Sequence, residues 1–310
     1  MHRAGILRRT AGGVPALCLS EGSSVREVQL TKRVEFAAAH RYHNDAWDAA
    51  RNRLVFGACN NEHGHGHNYV LEVTVAGPVD ERNGMVVNLY DLKRVLLEVL
   101  EEFDHKHLNL DTPYFHQDIP TSENLAHVLW RILERRPEIG RLQRVRLYED
   151  EDLYAEVTPE LILAGRAGRK QASLTRRYPF TAAHCVRSAR LSEAHNRLLF
   201  GPCDGPEAHG HNYVLEVTVC GEVGRETGMV TDIGALDRLV RETIVGLWDR
   251  RDVSRLPQFA GTAATGETLA HFAWEALEKR VPAGTLERIR LYETQDTYYD
   301  VEAPSERRAS

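Results

Sequence analysis

A string of landmarks occurs twice in this 310-residue chain, and its fixed period constrains the fold more than any other feature. The first copy reads Phe36-Ala-Ala-Ala-His40, Asn52-Arg-Leu-Val-Phe-Gly57, Cys59 and His65-Gly-His67-Asn-Tyr69. The second reads Phe180-Thr-Ala-Ala-His184, Asn196-Arg-Leu-Leu-Phe-Gly201, Cys203 and His209-Gly-His211-Asn-Tyr213, each landmark 144 positions further on. A single long period means two copies of one structural unit, not a solenoid of short repeats. What the copies share is three histidines and a cysteine, which is metal-site chemistry.

Length allows two units of ordinary domain size, each with its own core. A net charge of −6 argues against an electrostatically driven nucleic-acid binder. No apolar run approaches the roughly 20 residues that a membrane-spanning helix needs. Five cysteines in such a chain do not make a disulfide framework, which favours a reducing, cytoplasmic setting. Residues 1–27 read as a flexible extension, 28–157 as the first unit, 158–172 as a solvated linker, 173–302 as the second unit and 303–310 as a tail.

Hydrophobic periodicity orders each unit as strand, strand, helix, helix, strand, strand. Val28 to Ala38 and Tyr69 to Ala76 alternate as strands, and Arg41 to Asn68 between them reads as a long irregular excursion. Asn88 caps a helix with an apolar stripe from Leu89 to Phe103, and a second helix runs from Thr121 to about Arg136, ahead of Pro137. Strands at 144–149 and 153–157 close the unit. The second unit follows with strands near 174–182 and 213–220, helices near 233–248 and 266–280, and strands near 287–293 and 297–302. Helices gathered on one face of an antiparallel sheet make an α+β fold.

His65 and His67 flank one glycine, so in an extended segment both imidazoles point to the same face. His40 ends the strand expected to pair beside them. Three imidazoles with an open fourth position is the pattern of catalytic zinc, and imidazole also suits copper, iron and nickel. His184, His209 and His211 repeat the set. His63 falls outside it, because Glu207 stands in the corresponding place of the second copy. His43, His116 and His127 read as ordinary polar residues. Cys59 and Cys203 each precede a His-Gly-His pair by six residues. A thiol beside a bound cation is expected to have a lowered pKa and to serve as base or nucleophile; a buried small hydrophobe and a fourth metal ligand are the alternatives. Cys18, Cys185 and Cys220 are not shared by the copies and read as small hydrophobes. Asp104-His105 sets a carboxylate beside an imidazole after the first helix, able to serve a site across an interface.

Together these residues resemble the 6-pyruvoyltetrahydropterin synthase family, which has the tunnelling fold. The likeness also runs through Asn88-Leu-Tyr-Asp91-Leu, Asp104-His105-Lys106, Pro113-Tyr-Phe115, Thr121-Ser-Glu123-Asn124 and Val145-Arg-Leu-Tyr148-Glu149. The resemblance implies that His40, His65 and His67 bind Zn²⁺, which polarises substrate hydroxyls, and that Cys59 abstracts a carbon-bound proton. It implies that Asp104 and His105 complete the relay, and that Glu149 anchors a pterin ring with Thr121 and Ser122 nearby. The implied substrate is 7,8-dihydroneopterin triphosphate, which loses triphosphate as it rearranges. Five residues between Cys59 and His65, and between Cys203 and His209, match the pyruvoyl branch. Three residues, the spacing of the 6-carboxytetrahydropterin synthases of queuosine biosynthesis, fit only the local frame that ends on His63-Gly-His65.

The second copy keeps Glu293 and Asp249 but has Arg250 where the first has His105. Arginine stays protonated at neutral pH, so this half could bind zinc and pterin yet turn over poorly. A non-catalytic pterin- or metal-binding protein and a zinc-stabilised structural module are the readings of another class. One-unit relatives form stacked rings of three, so the simplest expected assembly is three chains, all first units in one ring and all second units in the other.

Overall fold

A computed structural model of the chain describes residues 26–165, 168–205 and 207–304. Most of the extension expected over 1–27, with Cys18, lies outside the described residues, as do Arg166 of the linker and the end of the tail. The described residues build one nine-stranded sheet in the order β3-β1-β2-β4-β5-β6-β7-β8-β9. The first unit supplies β1 (Glu27–His40), β2 (His65–Pro78), β3 (Lys106–His107), β4 (Arg141–Asp150) and β5 (Leu153–Val157). The second supplies β6 (Gln171–His184), β7 (His209–Glu222), β8 (Thr285–Tyr292) and β9 (Tyr298–Glu302). All neighbours are antiparallel except the short β1–β3 pair.

The helices follow from their caps and stripes. Asn88 accepts from the Tyr90 amide to start Leu89–Leu100, and Thr121 accepts from the Asn124 amide to start Ser122–Leu133. Their apolar faces, Leu92, Val95, Leu96, Leu125 and Leu129, are fully buried with Leu71, Val73 and Val145 of the sheet. Each such side chain contributes about 1.5–3 kcal/mol of burial. The opposite face of the sheet is polar, with Thr31 hydrogen-bonded to Thr74 and Arg146 to Glu156.

Four expectations are corrected. The excursion over 41–68 is not irregular: it holds helix Ala49–Phe56, and β2 begins at His65, four residues earlier than the alternation shows. Asn52 organises this segment. Its buried side chain accepts from the Asn44 amide and donates to the Asn44, Trp47 and Asp48 carbonyls, and Asn196 does the same in the second unit. Gly57 and Gly201 then turn the chain at φ 53°, ψ −127°, a conformation closed to residues with a Cβ. That explains the shared Asn-Arg-Leu-x-Phe-Gly string. Second, the linker is not wholly solvated, since Pro159–Ala164 is helical and Ala172 is fully buried in β6.

Third, the helix expected over 233–248 is interrupted by a π turn at Arg241–Val245. A π turn takes up one extra residue. It brings Asp249, 145 positions after Asp104, to the equivalent place: Thr181 N–H donates to Asp249 at 3.0 Å as Ala37 N–H donates to Asp104 at 2.9 Å.

Fourth, the two units do not have separate sheets: β5 pairs with β6 from Leu153↔Arg176 to Glu156↔Ser173, so both lie side by side in one sheet. Around this junction Thr121 donates to the Gly228 carbonyl at 2.5 Å, Lys170 bridges Asp118 and Asn124, and His127 meets the Gln171 carbonyl at 2.9 Å. No helix among the described residues is long and apolar enough to cross a membrane.

Candidate functional site

The β1–β2 ladder sets His40 opposite His65 and Ala38 opposite His67, so three imidazoles converge at the end of one hairpin. Their ligand-capable nitrogens lie within 4.8 Å of one another, as do those of His184, His209 and His211 in the β6–β7 hairpin. His40 is fully buried, and burial pulls it down to about 4 against the raising effect of the Glu149 carboxylate, so it is neutral near pH 7. Burial lowers His65 and His184 in the same direction.

Outer contacts fix the tautomers. The His40 Nδ1 faces the Pro120 carbonyl at 3.2 Å and the Tyr69 hydroxyl at 2.9 Å, and the His184 Nδ1 faces the Ala264 carbonyl at 2.8 Å. A carbonyl only accepts, so the hydrogen sits on Nδ1 and Nε2 keeps its lone pair. His65 Nδ1 is held by Asn61 at 3.1 Å, a residue replaced by Gly205 in the second unit.

The Nε2 atoms of His40 and His65 stand 3.3 Å apart, and those of His184 and His209 3.1 Å apart. The buried Nε2 of His67 and of His211 have no hydrogen-bond partner. Two lone pairs face to face and a third left orphaned are what a divalent cation satisfies, so the residues fit a metal in both units.

Glu149 and Glu293 stand beside these clusters. Glu149, buried, accepts from Tyr42 at 2.8 Å and Ser122 at 2.6 Å, with its other oxygen 3.6 Å from His67. Glu293 accepts from Tyr299 at 2.9 Å and Tyr213 at 3.4 Å, and stands 3.4 Å from His184. Sequence reasoning missed Tyr42, and no periodic signal marks it: the second unit has Val186 there and Gly266 in place of Ser122. Thr121 is not at this carboxylate. Its hydroxyl caps a helix and bonds Gly228, while Ser122 alone of the expected pair reaches Glu149.

Cys59 is half-buried and packs with Tyr42, Phe56, Ile119 and Met229 of the second unit. The expected lowering of its pKa is not produced by the protein's own groups. Burial, then the Glu149 and Asp150 carboxylates, push the thiol up to about 11. Cys203 is half-buried in the corresponding loop. Cys185 and Cys220 are half-buried and not fully enclosed, the Cys185 thiol donating to the Gly205 carbonyl at 3.3 Å, and His63 lies exposed in a turn outside the cluster.

Asp104 and His105 form a pair at 3.0 Å, and the Ala37 amide holds the Asp104 carboxyl below its usual range. His105 is exposed and adopts φ 55°, as Arg250 adopts φ 56° in the matching position. Such non-glycine backbone persists where the surroundings enforce it. A groove lined by Ala38, Gly66, His67 and His105 has His105 of the pair and His67 of the cluster on its walls.

The chain was compared with known proteins. A family model described as 6-pyruvoyl tetrahydropterin synthase matches twice, at residues 29–160 and 173–304. The human 6-pyruvoyl tetrahydrobiopterin synthase is 40% identical over 135 residues, 43% of this chain and 93% of the relative. The Drosophila melanogaster protein of the same description is 45% identical over 124 residues, 39% of this chain and 73% of the relative. An Archaeoglobus fulgidus protein described provisionally as 6-carboxy-5,6,7,8-tetrahydropterin synthase is 45% identical over 94 residues, 30% of this chain and 74% of the relative.

Proposed function

The chain belongs in both halves to the 6-pyruvoyl tetrahydropterin synthase family, and from that premise we propose that it is a zinc-dependent lyase acting on 7,8-dihydroneopterin triphosphate. The observation that carries this reading is the orphaned Nε2 of His67 beside a buried carboxylate, Glu149, repeated as His211 beside Glu293. His40, His65 and His67 would hold one zinc ion, and His184, His209 and His211 a second. When bound, zinc supplies Lewis-acid polarisation of substrate hydroxyls.

The chain's own groups supply the rest. Glu149 and Glu293 receive the ring N–H groups of the pterin, each oriented by tyrosine hydroxyls. The cysteine thiolate takes a carbon-bound proton from the side chain, and the Asp104–His105 pair passes protons at the neighbouring carbon. Triphosphate leaves with its bonding electron pair, and the side chain is oxidised as the dihydropterin ring is reduced, so electrons balance within the substrate. The five-residue spacing from Cys59 to His65, with His63 outside the cluster, supports the pyruvoyl product over the 6-carboxy product. Zinc-loaded protein incubated with dihydroneopterin triphosphate is expected to release 6-pyruvoyltetrahydropterin and triphosphate, read by mass. A 6-carboxypterin product would favour the other branch, and binding without turnover would reduce the site to a binding module.

A further inference from the structure

The carboxylates of the two sites are held by phenols that come from different places in their units. Glu149 accepts from Tyr42, two residues past the end of β1, and Glu293 accepts from Tyr299, on β9. The landmarks of the two copies stand 144 positions apart, so these tyrosines are not counterparts. Buried Val186 stands at the place of Tyr42, and fully buried Ala155 at the place of Tyr299. Each unit therefore has one phenol and one small apolar residue at this pair of positions, in opposite order.

A third position explains how both orders pack. Ser122 is the first residue of its helix and donates to Glu149 at 2.6 Å, whereas the first residue of the matching helix is Gly266. A Cβ on Gly266 would lie 1.8 Å from Cε2 of the Tyr299 ring. Carbon atoms pack at about 3.5–4.0 Å, so only glycine leaves room for that ring. In the first unit Ala155 presents a methyl group alone, and the serine side chain fits. Tyr213 is the longer contact to Glu293, at 3.4 Å, and its counterpart Tyr69 bonds His40 and not Glu149.

We infer that Tyr299 is the positioning residue of the second site and does there what Tyr42 does in the first, fixing the carboxylate that receives the ring N–H groups of a pterin. The geometry at the two carboxylates is the same. Each phenol donates to Oε2, at 2.8 Å from Tyr42 and 2.9 Å from Tyr299. Each Oε1 is left toward the histidine cluster, 3.6 Å from His67 in the first site and 3.8 Å from His211 in the second. A hydrogen bond to an ionised acceptor is among the stronger ones, and here it holds the carboxylate against rotation. The second site is thereby equipped to bind a pterin although His105 has no imidazole counterpart in it. This inference rests on the pterin reading of Glu149 and Glu293.

Neopterin, a fluorescent pterin with its ring N–H groups intact, is the binding probe for the full zinc-loaded chain. The wild type is expected to bind it at both sites. Tyr299→Phe keeps the ring over Gly266 and removes only the hydroxyl. It should weaken one site by about tenfold or more, the scale of a hydrogen bond to a charged group. Tyr42→Phe combined with Tyr299→Phe should raise KM about tenfold with kcat nearly unchanged, because the phenol holds ground state and transition state alike. A fall in kcat at unchanged KM overturns the positioning role. Moving the phenol tests the shared role: Tyr42→Val with Ser122→Gly should weaken the first site, and adding Ala155→Tyr should restore it to within about threefold. Unchanged binding in Tyr299→Phe, or a folded triple variant that stays weak, overturns the inference, and Tyr299→Phe is decisive even where the triple variant does not fold. Glu293→Gln separates the two readings. Weakened binding there, beside intact binding in Tyr299→Phe, overturns the tyrosine's role alone; unchanged binding in Glu293→Gln overturns the pterin reading with it.

Discussion

The main-chain N–H of Val230, in the second unit, donates at 2.9 Å to the carboxyl group of Glu123, in the first, and the carboxyl is buried beneath that contact. Burial pushes Glu123 up to about 7, more than the lowering effect of the Val230 hydrogen bond can offset. A carboxyl whose folded pKa lies above its unfolded value favours the fold fully below the unfolded value, near 4.5, and loses that advantage as pH rises through about 7. Glu123→Gln keeps the acceptor without the charge. The variant should match the wild type near pH 4.5 and exceed it by about 3 kcal/mol at pH 8, read from denaturant midpoints across that range. A constant difference at all pH values would show that Glu123 ionises freely.

Six histidines in two clusters imply two metal ions per chain. Elemental analysis of zinc-loaded protein should give two, and His65→Ala should give one. Removing the metal with a chelator should lower the melting temperature, because the ions bind the folded hairpins and not the unfolded chain. Wild-type protein holding well under one ion per chain contradicts the assignment.

Asn52 is buried and makes four hydrogen bonds that shape the segment carrying Cys59. Asn52→Ala strands these backbone groups and should cost about 2–4 kcal/mol of unfolding free energy. Asn196→Ala should cost a similar amount in the second unit. A loss under about 0.5 kcal/mol at either position would mean that the loop is held by other contacts.

The Cys59 thiol, pushed up to about 11 in the protein alone, should resist alkylation in metal-free protein at pH 8. A rate roughly 10²-fold below that of a peptide thiol is expected, since the thiolate is the reactive form. Zinc loading should raise the rate if the cation lowers the thiol pKa. An unchanged rate would remove the metal as the cause of any thiol activation.

How far the site was legible depended on whether its geometry is local. His65-Gly-His67 needs only the two-residue period of a strand, and His40 needs only the adjacent strand of one hairpin, so both clusters could be read from spacing. The caps at Asn88 and Thr121 were equally local. Tyr42 and the helix at Ala49–Phe56 were not, because that helix has no apolar stripe and is held by the side chain of Asn52. Thr121 was expected at the pterin carboxylate, but its hydroxyl meets Gly228, 107 residues away.

The sequence by itself determined the duplicated unit, its mixture of helices and strands, the two histidine clusters, and the exchange of an imidazole for a guanidinium between the copies. Only the tertiary structure decided how the two units meet. Strand alternation specifies a face but not the neighbour across an edge, and β1 and β6 share nearly the same pattern. Pairing of β5 with β6 inside the chain settled that choice and set the two units side by side in one sheet.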